Sequence, residues 1–308
     1  MSEVTLDDVR VEREGRLVLD VRALTLRAGR TTAILGPNGS GKTTLLRAIA
    51  GLERPQSGRI RIGGSRIAPR HLAYVFQEEV FLRQSVRRNL ELGLRLRGED
   101  NPQIRVRVED AAARTGITHL LERRADRLSG GEARRANLAR AFCLHAPLVL
   151  LDEPLAGLDG LVYSHLVDEL PRIVQAFRAT TVLVTHNRDE ALRLSDDLVV
   201  LIEGRVHAAG AKHDVATNPR SAGVAGVLGY TVLMVDGTKL AVPPGAIKAG
   251  GGPNEFTMTI DAVVDAVDFT DVIGAVDGVR VRVRWGGGEL PAVGQRVAVH
   301  AARSYELE

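Results

Sequence analysis

The sequence predicts an α/β core followed by a small all-β domain, and three observations carry that expectation. Apolar, strand-like runs alternate with stretches of helical periodicity up to about residue 228. A glycine-rich loop lies between one such strand and one such helix. From Tyr230 onward the chain turns to Val, Gly and turn pairs with period-two alternation. The expected domains are therefore 1–228 and 229–308. The join, "HDVATNPRSAGVAGVLG", lacks strong periodicity and contains Pro219 and several glycines.

Taken in order, residues 1–35 read as short strands: "LVLD" and "RALTLRA" have β-type alternation, and "TTAILG" is a β-rich run ending at Gly36. "TTLLRAIAGL" places Leu45, Leu46, Ile49 and Ala50 at helical spacing and stops at Gly51, where a left-handed cap suits glycine. "HLAYVF" reads as a strand leading to Gln77, and residues 79–127 are mostly helical, most clearly in "RQSVRRNLELGLRL" and "VRVEDAAARTG". "LVLLDE", "ATTVLVTH" and "DDLVVLIEG" are apolar enough for buried parallel strands, with helical stretches between them. In the second domain "FTMTIDAVV" and "VRVRVRW" alternate between the turn pairs Asp236-Gly237, Pro243-Pro244-Gly245 and Asp277-Gly278.

Bulk properties exclude several classes. The 308 residues are 44% hydrophobic, as in an ordinary globular protein, and 41 cationic residues against 38 acidic ones leave a net charge of +3, no footprint for nucleic acid. Arg123-Arg124 and Arg134-Arg135 are interleaved with Glu and apolar residues and read as a solvated helix face. The single cysteine, Cys143, has no partner for an internal disulfide and stands in an apolar run as a core thiol. The longest uncharged apolar stretch, Ser221 to Val235, is too short and glycine-rich to span a bilayer, and nothing N-terminal resembles a cleavable signal. A cytoplasmic protein is expected.

Gly36-Pro37-Asn38-Gly39-Ser40-Gly41-Lys42-Thr43 fits G-x-x-x-x-G-K-[ST] between a strand and a helix, with Thr44 following it. Glycines let amides wrap phosphates, Lys42 brings a point charge to the β/γ phosphates, and the Thr43 hydroxyl can ligate Mg²⁺. "LVLLDE" delivers Asp152 and Glu153 to the carboxyl edge of a sheet, Asp152 as the expected Mg²⁺ partner and Glu153 facing an attacking water. "SGGEARRANLAR" offers a second anion site, because Gly130 and Gly131 expose amides where a helix begins.

Together these residues resemble the nucleotide-binding subunits of ATP-binding cassette (ABC) transporters, and further motifs follow in that family's order. Gln77 matches the Q-loop, Leu128-Ser129-Gly130-Gly131-Glu132 the signature, Leu148 to Glu153 the Walker B strand, Ala156-Gly157-Leu158-Asp159 the D-loop, and His186 the switch histidine. The resemblance implies a P-loop NTPase (ABC ATPase) core with a helical signature subdomain, using ATP and Mg²⁺. It implies a head-to-tail homodimer in which Ser129, Gly130 and Gly131 of one copy close over the γ-phosphate at the phosphate loop of the other. His186 would orient the attacking water, Gln77 would touch Mg²⁺ or that water, and Asp159 would make a contact across the dimer. The family commonly stacks adenine on an aromatic residue, yet residues 1–35 contain none; Arg13 and Val18 are the substitutes, and weak discrimination between ATP and GTP follows. Glu132 stands where Gln is commoner, with little consequence expected.

The same resemblance implies partners. The chain would sit on the cytoplasmic face of the inner membrane, bound to a separate permease through a groove formed largely by residues 77–96. An extracytoplasmic solute-binding protein would complete a bacterial import system. "LAVPPGAIKAG" and the β-rich end resemble the small OB-like accessory domains of importers of molybdate, tungstate, sulfate and some sugars or polyamines; an oxyanion cargo is the expectation taken from these, with a dimerisation module lacking a ligand as the alternative for that domain. A non-transport or regulatory ABC ATPase is the alternative for the whole chain.

Overall fold

The computed structural model describes residues 2–65, 71–235, 237–266, 269–286 and 289–307, and the chain divides into two compact units, Met1–Lys212 and His213–Glu308. The second unit begins earlier than the expected domain join and takes in residues 213–228. Asp236, half of one expected turn pair, lies outside the described residues.

The first unit opens with β1 (Val4–Arg13) and β2 (Arg16–Leu26), an antiparallel hairpin turning at Glu14-Gly15 with both residues left-handed. This is the two-residue turn that matches strand twist. The fragments expected as separate strands are thus one continuous β2. Its partner escapes period-two reading because the alternation changes phase: Val4 and Leu6 are buried, then Val9 and Val11. Asp8, left-handed at φ 49°, absorbs the shift, and the register against the neighbouring strand slips between Asp7 and Arg10.

β3 (Thr31–Leu35) leads to α1 (Lys42–Ile49), and β4 (Ser57–Ile62) joins β1 to complete a three-stranded sheet. Next come β5 (Leu72–Val75), α2 (Val86–Leu96), α3 (Asn101–Arg114) and α4 (Gly130–Phe142). These three helices enclose their own core of Val86, Leu90, Leu94, Ile104, Val108 and Cys143. Residues 86, 90 and 94 share one face of α2, which explains why the stretch reads as helix. Burial pushes the Cys143 thiol up to about 12, as a packed core group requires.

The unit closes with β6 (Leu148–Asp152), α5 (Gly160–Phe177), β7 (Thr180–Thr185), α6 (Arg188–Leu194), β8 (Asp197–Ile202) and β9 (Arg205–Ala211). The second sheet has the order β5-β6-β7-β3-β8-β9, parallel except for β9. Every residue of β3, β6 and β7 is buried, the pattern of strands covered on both faces.

α7 (Lys212–Thr217) starts on the last residue of the first unit, and the second unit continues with α8 (Ala222–Val227), β10 (Thr231–Val235), β11 (Thr238–Val242), β12 (Ile247–Ala249), β13 (Glu255–Ala266), β14 (Phe269–Val276), β15 (Val279–Trp285), β16 (Arg296–Ala301) and β17 (Tyr305–Glu306). Its antiparallel sheet runs β12-β16-β13-β14-β15, and the two edge strands approach each other in a nearly closed barrel. Met258, Ile260, Val272, Val281, Val283 and Val299 fill the interior. The expected all-β second domain is realised in this barrel.

The β1 bulge generates a prediction. A Cβ at Gly58, whose φ is +86°, would lie 2.3 Å from the Asp8 carbonyl oxygen, whereas at Gly15, also left-handed, it meets nothing within 4 Å. Gly15→Ala therefore carries only the left-handed penalty of about 1–2 kcal/mol, and Gly58→Ala adds overpacking of about 1–3 kcal/mol. Thermal unfolding of the two variants side by side checks this ordering.

Candidate nucleotide site

The phosphate loop is shaped by close backbone approach. A Cβ on Gly36 would fall 2.1 Å from the Leu201 carbonyl oxygen, so β3 can turn out of the sheet here only with glycine. Gly41, at φ 94°, turns the chain into α1. Lys42 is 6% exposed, and its Nζ donates to the carbonyls of Gly36 and Pro37, each at 2.9 Å. Burial lowers the pKa of this ammonium, while the nearby Glu153 and Asp152 carboxylates act in the opposite sense. The Ser40 hydroxyl is buried without a hydrogen-bond partner among the described residues. A cavity of about 310 Å³ opens over the loop, lined by residues 38–44 together with Arg13, Val18 and Glu153.

Asp152 ends β6 beside this loop. Its Oδ1 accepts from the Thr43 hydroxyl at 3.0 Å and its Oδ2 from the Tyr74 hydroxyl at 2.8 Å. Burial and then the Asp152 carboxylate raise the Tyr74 phenol well above its ordinary value, which keeps it a hydrogen donor. Glu153 is left-handed at φ 46°, a strained conformation for a residue with a side chain, and its amide donates to the Val184 carbonyl at 3.1 Å. That turn lifts the carboxylate out of the strand direction, and Glu153 Oε1 lies 3.2 Å from His186 Nδ1. His186 follows β7, on a turn held from behind: the Thr185 hydroxyl donates to the buried Glu190 carboxylate at 2.6 Å and accepts from the Asn187 amide at 3.0 Å.

These groups fit a nucleotide and its cation. The buried orphan hydroxyl of Ser40, the ammonium turned onto loop carbonyls and the glycine-shaped cradle are those of a polyanion site. Among the described residues no cluster of three His, Cys, Asp or Glu exists to hold a metal by itself. A hydroxyl and a carboxylate, Thr43 and Asp152, instead suit Mg²⁺, which takes few protein ligands alongside phosphate oxygens.

Gln77, Ser129, Gly130, Gly131 and Asp159 do not line that cavity, whereas Arg13 does. Gln77 lies just beyond β5 with an exposed side chain. Ser129 caps α4 in a capping box, its Oγ accepting from the Glu132 amide at 3.4 Å while Glu132 Oε2 accepts from the Ser129 amide at 2.8 Å. Gly130 is open, but a Cβ at Gly131 would sit 2.6 Å from Val162 of α5. Asp159 caps α5 through the Val162 amide at 3.0 Å. Arg13 borders the cavity and pairs with Glu53.

One expectation is corrected. The Arg134-Arg135 pair is no solvated face: Arg134 is 3% exposed, because α4 turns it into the unit against Glu79 and main-chain carbonyls, and Arg135 pairs with Glu169. Tyr74 was also missed. It is one residue of an apolar strand, and only the neighbouring β6 gives its hydroxyl a role.

The ABC transporter family matches residues 19–156. The sulfate/thiosulfate import ATP-binding protein CysA of Mycobacterium bovis is 37% identical over 266 residues, 84% of this chain and 74% of that protein. The sn-glycerol-3-phosphate import ATP-binding protein UgpC 2 of Rhizobium johnstonii is 34% identical over 281 residues, 84% of this chain and 80% of that one. Among solved structures, cbiO1 from Clostridium perfringens, part of the ABC transporter complex cbiONQ, superposes with a TM-score of 0.64 at 29% identity, over 69% of this chain and 89% of that chain. At this similarity over most of its length, the chain belongs to the ABC transporter family as one of its ATP-binding, ATP-hydrolysing subunits.

Proposed function

We propose that the chain powers import of an oxyanion-bearing solute through a separate membrane permease, as a head-to-tail dimer that hydrolyses ATP. The observation that carries the catalytic part is that Glu153, which lines the cavity together with Lys42 and Thr43, has its Oε1 3.2 Å from His186 Nδ1. The cargo class rests on relatives named for sulfate/thiosulfate and sn-glycerol-3-phosphate import; molybdate and tungstate share that chemistry. An extracytoplasmic solute-binding protein belongs to the same reading, with the chain peripheral on the cytoplasmic face of the inner membrane. No helix among the described residues is long and apolar enough to cross a membrane. Residues 229–308 are proposed as an accessory module.

In this reading the loop amides from Asn38 to Thr44 receive the phosphates, and Lys42 exchanges its two carbonyl partners for phosphate oxygens. Thr43, Asp152 and Gln77 would hold Mg²⁺, which would supply charge neutralisation at the phosphates. Glu153 accepts a proton from the attacking water, and His186 holds that water and the γ-phosphate in line. Ser129, Gly130 and Gly131 of a second copy supply the opposite wall, and Asp159 makes the contact across the dimer. Because the two halves of each site lie on different copies, a lone chain turns over slowly. The exposed Phe76, Val80, Leu82, Leu92 and Leu96 support a permease groove along residues 77–96.

Gentle solubilisation of native membranes from cells carrying the tagged chain, with mass spectrometry of what co-purifies, tests the transport reading. A multi-spanning permease is expected; ribosomal or DNA-bound partners would instead support a non-transport ATPase. Glu153→Gln is expected to keep ATP binding, lower kcat by about 10²–10⁴-fold, and give an ATP-dependent dimer in sizing experiments. With no aromatic ring in residues 1–35 and Arg13 held by Glu53 at the cavity edge, GTP should compete with ATP at similar concentration. A competition assay with strong ATP preference would remove Arg13 and Val18 as the base platform.

A further inference from the structure

Among the described residues Arg134 is the one buried arginine. It lies one turn into α4, just past the signature glycines, and a guanidinium removed from water must find partners for its donors. Its Nη1 donates to the Gln77 carbonyl at 3.2 Å, its Nη2 to the Ala156 carbonyl at 2.9 Å, and its Nε lies 2.7 Å from Glu79 Oε1. Burial lowers its pKa and Glu79 opposes that shift, so the charge is held by this one carboxylate.

The same face of α4 continues the attachment. Asn137 Nδ2 donates to the Phe76 carbonyl at 3.4 Å, and Arg140 donates to the Val80 carbonyl at 2.6 Å while stacking over Phe81. Residues 134, 137 and 140 thus hold segment 76–81 by its main chain. Of these three side chains only Arg134 also reaches the turn after Glu153: the Ala156 amide donates to the Glu153 carbonyl at 3.1 Å, so one guanidinium and the single residue Ala156 join α4 to Glu153.

We propose that Arg134 is a positioning residue for hydrolysis. Its guanidinium fork fixes the backbones of Gln77 and Ala156 against α4, so that the signature helix, the Gln77 segment and the turn carrying Glu153 shift as one body. The proposal rests on the roles given above to Gln77 and Glu153. Breaking the fork part-way strands a buried charge, which favours all-or-none movement over gradual deformation.

The test uses the full-length chain with Mg-ATP, comparing Arg134→Gln, Arg134→Lys, the double variant Arg134→Gln/Glu79→Gln and, as a control, Glu153→Gln. Arg134→Gln is expected to lower kcat by about tenfold or more with KM within about twofold, the signature of lost positioning. Arg134→Lys keeps the charge but cannot span both carbonyls, so kcat stays low. The double variant removes the stranded carboxylate; its thermal midpoint should return toward that of the parent while kcat does not. Recovery of kcat together with stability would overturn the proposal by making Arg134 purely structural, as would a loss carried in KM alone. If Glu153→Gln hydrolysed ATP at the parent rate, the catalytic reading itself would fail, and the positioning role with it.

Discussion

The hydrogen bond between Thr43 Oγ1 and Asp152 Oδ1 joins two residues 109 positions apart, and it depends on strand direction. β3, β6 and β7 run parallel, so the loops that follow them emerge at one edge of the sheet, the edge at which open α/β sheets carry their ligands. The phosphate loop leaves β3, the acidic pair ends β6, and His186 follows β7. β7 lies between the other two, which places the histidine turn beside both. Without complete burial of those three strands, the loops would have no common floor.

Around that edge the chain manages charge in a low-dielectric setting. Lys42 is buried against two carbonyls, Asp152 accepts from two hydroxyls, and Glu190 is raised by burial behind Thr185. Each arrangement satisfies the group in the protein while leaving exchangeable partners, carbonyls and hydroxyls, that a polyanion and a cation can replace. Glu153 is held differently. Its left-handed backbone carries strain, and the amide contact with Val184 together with the Ala156 turn maintains it.

The helical layer adds the second half of the machinery. α4 presents a capped N-terminus at Ser129 and, a turn later, Arg134 facing inward. The capped N-terminus and the inward-facing guanidinium are thus rigidly connected by one helix. This accounts for two glycine-bearing cradles in one chain: in the proposed dimer each serves a different copy, and α4 links the outer cradle to the inner one.

The sequence by itself determined the α/β class, the following all-β domain and the family. Strand, glycine loop and helix are local patterns, and contiguous motifs such as residues 36–43 and 128–132 need no distant partner to be read. It did not delimit β1 within the short strands of residues 1–35, because the phase change at Asp8 breaks the alternation, and it read Arg134 as solvated, because an arginine among Glu and Ala looks exposed until Glu79 and two carbonyls are brought to it. Tertiary structure alone decided the Glu153–His186 pair, the role of Tyr74 and the engagement of Arg13 with Glu53, since each contact joins residues at least 33 positions apart. Local patterns follow from backbone and burial preferences along the chain; side-chain pairings across strands follow from sheet order, which no local stretch of sequence encodes.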